Sequence, residues 1–117
     1  MGYYSSVTLK TTTEGYLMFK KYNDSFEDED IRPLNGMIIE RTASGFYRIS
    51  CDWTKWYEGS FPRVTNFMTM LDRLEDMEIP YKFIRIGEDD TDVETRECFT
   101  EDTPDAIRML LFSCEHR

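Results

Sequence analysis

The sequence predicts an α+β fold: a ferredoxin-like split β-α-β sandwich, with an antiparallel sheet, two helices on one face and a C-terminal hairpin. Two observations predict it. The hydrophobic period alternates between two and about 3.6 in the order β-α-β-β-α-β. One of the strands also reads as half-buried, with a wet face, which is the habit of an antiparallel sheet. A chain of 117 residues is the size of one domain, 1–117, and 40% hydrophobic with 15% aromatic residues supports a packed core.

The elements follow in order. Tyr3 to Leu9 is rich in β-formers, and Tyr3, Val7 and Leu9 share a face, so a strand opens the chain. Thr11 and Glu14 form a capping box for a helix over about 12–23, and Gly15 weakens that helix by roughly 1 kcal/mol relative to alanine. The acidic stretch 24–30 and Pro33 make a solvated, mobile loop. Residues 37–42 and 46–53 are a hairpin about the Ala43-Ser44-Gly45 turn, with Tyr47, Ile49, Cys51 and Trp53 on the buried face. Ser60 caps a helix with Pro62 in its first turn, and Val64, Phe67, Met68, Leu71 and Leu74 form its apolar stripe. Tyr81 to Ile86 is a strand broken by Gly87. Residues 93–99 and 107–114 form the last hairpin, although Thr103-Pro104-Asp105 also reads as a helix start.

Charge is segregated. The chain carries a net −9, yet residues 24–30 hold five acids and no base, and residues 87–105 hold nine acids and one base. Those two segments carry thirteen net negative charges, so the remainder is net positive by four. Such a field repels nucleic acid and attracts basic surfaces. The expected partner is a protein with a basic surface, with no direct nucleic-acid contact. The candidate contacts are Glu27, Asp28, Glu29, Asp30, Glu88, Asp89, Asp90, Asp92, Glu94, Glu97, Glu101 and Asp102. Trp56, beside Lys55, is the candidate aromatic anchor, because exposed tryptophans dominate many interfaces. The plainer readings stand beside these: solvated loops for the acids, and core packing for most of Trp53, Trp56, Tyr57 and Phe61.

Catalytic and cofactor signatures are missing. The sole histidine, His116, lies next to the last residue, and no phosphate-binding glycine loop occurs. The expectation is a protein that is not an enzyme and takes no cofactor or metal. Alternating acids over 88–94 could offer oxygen ligands to a hard cation, but the calcium-loop spacing is not met. Three cysteines without a CxxC pair, and no basic apolar leader, suit a reducing cytoplasm. Met1-Gly2 with Ser6 matches the bare myristoylation pattern, but Tyr3 and Tyr4 read as strand. No apolar run is long enough to cross a membrane.

Gly2-Tyr3-Tyr4, Trp53-x-x-Trp56-Tyr57, and Tyr81 to Asp89 with Asp92 and Glu94 together give the chain a resemblance to small acidic accessory proteins encoded by bacteriophages and prophages. The likeness spans nearly the whole chain in short motifs, and it brings no catalytic residues with it. It implies a protein acting inside a bacterial host. Phage proteins of this size and charge are often inhibitors of host defence, including anti-CRISPR proteins and nucleic-acid mimics. The expected function is therefore an inhibitor of a host nucleic-acid-handling or defence protein, such as a CRISPR effector. Two alternatives remain. One is a small-ligand or metal binder, such as a nucleotide sponge using Arg48, Lys82 and Arg85 or a bound cation. The other is a structural phage protein that dimerises through a sheet edge.

Overall fold

The computed structural model describes residues 3–98 apart from 44, 58 and 90. Its elements are β1 (Ser5–Thr11), α1 (Thr13–Asp24), β2 (Ile38–Arg41), β3 (Tyr47–Thr54), α2 (Pro62–Asp76), β4 (Tyr81–Gly87) and β5 (Val93–Cys98). All neighbouring strands are antiparallel, in the order β2-β3-β1-β4-β5. Each helix therefore crosses over one intervening strand: α1 joins β1 to β2 across β3, and α2 joins β3 to β4 across β1. This is the predicted α+β arrangement, extended at one edge by β5. That strand was expected to pair with 107–114. It pairs with β4 along one edge, and 107–114 lie outside the described residues.

Alternation places Val7 and Leu9 of β1, Ile49 of β3, and Tyr81 and Phe83 of β4 on one sheet face, all essentially buried. Phe19 of α1 and Val64, Phe67, Leu71 and Leu74 of α2 close over them. Phe67 is the hub, with its ring 4.9 Å from Phe19, 5.1 Å from Trp56 and 5.8 Å from Phe83. Burying one such side chain contributes roughly 1.5–3 kcal/mol, so this aromatic knot is a main source of stability.

Three local expectations change. The first cap is Thr12, whose hydroxyl accepts from the Gly15 N–H at 3.1 Å. Thr11 ends β1 and donates its hydroxyl to the Pro80 carbonyl at 2.9 Å. The second helix has Phe61, not Ser60, at its N-cap and no side-chain cap. Pro62 in the first turn lowers the need for one, because it removes one of the N–H groups a cap would satisfy.

The largest change is at the end of β3. Val7 pairs with Cys51 but Ser5 pairs with Thr54, so β3 carries one extra residue there. Such a bulge breaks the period-two alternation. Trp53 sits at φ 53°, in the left-handed region, and is 67% exposed rather than buried. Trp56 turns inward.

Candidate functional site

The topology brings the two acidic loops to one end of the sandwich. Ser5 of β1 pairs with both Thr54 and Gly87, so the turn after β4 lies at the Ser5 end. Helix α1 starts beside Thr11, at the other end, and its 12 residues return the chain by about 18 Å. The loop after α1 therefore reaches the Ser5 end as well. There the Asn66 side chain of α2 donates to the Ile31 carbonyl at 2.8 Å, tying this loop to the start of α2.

The loop 24–30 is held rather than free-running. Asn23 is buried and accepts from the Leu34 N–H at 2.9 Å. Asp28 caps a short 3-10 turn, Glu29–Ile31, by accepting from the Asp30 N–H at 2.9 Å. Arg32 donates to the Phe26 carbonyl. Asp24 pairs with Lys20 at 2.7 Å, and its carboxyl is held low first by Lys20 and then by the Asn23 amide. Glu27, Asp28, Glu29 and Asp30 are all exposed, and among the described residues none of them forms an ion pair.

The turn after β4 spends its acids internally. Arg85 makes a two-pronged contact with Asp92, at 2.9 and 3.2 Å, and reaches Glu94 at 3.0 Å and the Ser5 hydroxyl at 3.1 Å. The Tyr3 hydroxyl donates to Asp92 at 2.8 Å and accepts from the Asp89 N–H at 3.1 Å. Asp89 accepts from both the backbone and the hydroxyl of Thr91. Glu88 accepts from the Tyr4 N–H at 2.6 Å. Gly87 is required by crowding: a Cβ there would lie 2.3 Å from the Tyr3 hydroxyl. Even so, among the described residues Asp92 and Glu94 share one cation, Arg85, and Glu88 and Asp89 form no ion pair, so the turn stays net negative.

These contacts set a pH dependence. The Arg85 guanidinium, and then the Tyr3 hydroxyl, hold the Asp92 carboxyl below its usual range. The N–H of Thr91, then its hydroxyl, does the same for Asp89, and the hydroxyl of Tyr81, then Arg96, for Glu75. A carboxyl depressed in the folded state stabilises the fold above its unfolded pKa of about 4, and that contribution is lost as the pH falls through the depressed value. The melting temperature is expected to drop between about pH 5 and pH 3, and Asp92→Asn to flatten part of that slope. Calorimetry across that interval checks it; parallel curves for the two proteins would show that the Arg85–Asp92 contact contributes nothing.

The predicted contact residues thus divide. Glu27, Asp28, Glu29, Asp30, Glu88, Asp89, Asp92 and Glu94 gather at one end. Glu97 does not: it pairs with Lys82 at 3.4 Å on the sheet face away from the helices, nearer the far end of β5. Trp56 is not a surface anchor, because it is 6% exposed and packed against Phe67 and Phe83. Asp90, Glu101 and Asp102 lie outside the described residues. Trp53, at the Ser5 end, is 67% exposed, more than Tyr3 beside it, with its ring edge-on to Tyr4 at 6.5 Å. The Trp-x-x-Trp spacing flagged both tryptophans; only the bulge decides which one faces solvent.

The ligand alternative loses its convergence. Register aligns Arg48, Lys10 and Lys82 across three strands on the face away from the helices, while Arg85 lies on the helix side, engaged by Asp92 and Glu94. Arg48 is paired with Glu40, and Lys10 is buried. Among the described residues, no three His, Cys, Asp or Glu side chains are grouped to hold a metal ion, and no helix is long and apolar enough to cross a membrane. No protein-family model, curated protein or solved structure matches the chain.

Proposed function

We propose that the protein is a non-catalytic inhibitor, of the kind phages encode, that docks the acidic end of its sandwich onto a basic surface of a host nucleic-acid-handling or defence protein. The bacterial setting rests on the sequence resemblance. The observation that carries the binding mode is the convergence of both acidic loops at the Ser5 end, with Glu27, Asp28, Glu29 and Asp30 exposed and outside any described ion pair. Carboxylates held there would take the place of phosphates in the partner's groove, and Trp53 would supply the apolar contact. Rim charges of this kind act mainly through steering and specificity, so binding should be salt-dependent.

The test is capture of host proteins from a bacterial lysate on the immobilised chain, repeated with the combined variant Glu27→Gln, Asp28→Asn, Glu29→Gln and Asp30→Asn. Four exposed charges, each contributing up to about 1 kcal/mol, should together weaken binding by at least tenfold without changing the melting temperature by more than a few degrees. Nucleic acid should compete for the captured protein. Capture that persists at about 0.5 M salt and survives the fourfold substitution would sink the proposal.

A further inference from the structure

A second surface lies on the helix layer, running along α1 from Glu14 to Ser25 at the base of the loop that carries the exposed acids. Helices α1 and α2 leave a groove of about 670 Å³ between them. This is the size of pocket that holds a small organic molecule. Its apolar lining is Met18 and Tyr22 of α1 with Met70 and Met77, the last two on and just after α2. Met77 is 56% exposed, although it borders the groove. Methionine surfaces adapt to irregular apolar shapes because the side chain is unbranched and polarisable.

The rim decides what would fit. Arg73 lies over the Tyr22 ring at 4.7 Å, a cation–π contact that holds the guanidinium at the groove. Lys21 stands one residue before Tyr22 on the same lip. Among the described residues neither Lys21 nor Arg73 forms an ion pair, so neither charge is neutralised by a carboxylate of the chain. Two cations thus stand beside a methionine floor on one lip of the groove. Glu14 is the one carboxylate on the lining, a full two turns before Lys21.

We infer that the groove between α1 and α2 is a binding site for a small amphipathic organic anion: an apolar body bearing one carboxylate or sulfonate. The acid group sits against Arg73 and Lys21, and the body runs over Met18, Met70 and Met77. Glu14 at the opposite end disfavours a ligand charged at both ends. This inference does not rest on the role proposed for the acidic end.

The test uses 1-anilinonaphthalene-8-sulfonate and its uncharged twin, N-phenyl-1-naphthylamine, with the full chain labelled at its methionine methyls. The expected result is that the sulfonate shifts the Met18, Met70 and Met77 methyl resonances together and saturably, and leaves Met37 and Met68 unmoved. Arg73→Gln should weaken the sulfonate at least about fivefold, the scale of one partly exposed charge-assisted hydrogen bond, and change the uncharged twin less than twofold. Lys21→Gln, at an exposed position, repeats the test should Arg73→Gln disturb the fold. Shifts confined to other methionines, no saturable shift, or equal losses for both dyes in both variants would overturn the inference.

Discussion

Trp56→Ala is expected to lower the free energy of unfolding by about 3–5 kcal/mol, the usual cost of emptying a core aromatic site. The indole is 6% exposed, its ring is 5.1 Å from Phe67 and 6.2 Å from Phe83, and the Arg63 guanidinium covers it at 5.8 Å. Removing it empties one side of the aromatic hub. The indole Nε1 has no hydrogen-bond partner among the described residues. Trp56→Phe therefore loses volume but breaks no described hydrogen bond, and should cost clearly less than the alanine. Trp53→Ala, at the 67% exposed position, should stay within about 0.5 kcal/mol. Urea unfolding of the three variants separates a core role from a surface one. A Trp56→Ala protein as stable as the parent would mean that the indole does not pack against Phe67.

Gly15→Ala should destabilise the fold by about 1–3 kcal/mol, although alanine is the better helix former by roughly 1 kcal/mol. A Cβ at position 15 would lie 2.1 Å from the Thr11 hydroxyl and 3.2 Å from Ile79. Thr11 is fully buried and already commits that hydroxyl to the Pro80 carbonyl, so it has nowhere to retreat. The first turn of α1 would have to lift from the end of β1, loosening the junction where β1, α1 and β4 meet. Thermal unfolding decides between the two effects. A higher melting temperature for Gly15→Ala would show that helix propensity outweighs the clash and that this close approach is not needed.

Much of the fold was legible in the sequence because hydrophobic period is a local property. Val64, Phe67, Met68, Leu71 and Leu74 were readable as one stripe because a helix turns its own face inward whatever it meets. The alternation from Tyr47 to Cys51 was readable for the same reason. The reading failed where one residue's placement depends on a distant partner. Trp53 continues the alternation in sequence, yet the β1–β3 register inserts an extra residue and turns it out. Gly15 looked like a weak helix residue, and its reason is a threonine on the preceding strand.

For the site, the sequence by itself determined that negative charge is concentrated in two segments, because charge is counted along the chain. Tertiary structure alone decided where those charges point and which remain available. Antiparallel pairing of β1 with β4, and the return of α1, bring the loop after α1 and the turn after β4 to one end, while Glu97 lies nearer the other. Arg85 then binds Asp92 and Glu94 at that end, while the loop after α1 keeps four acids exposed and outside any described ion pair. An ion pair forms across a few ångströms of space, and sequence separation does not specify which residues the fold will bring that close.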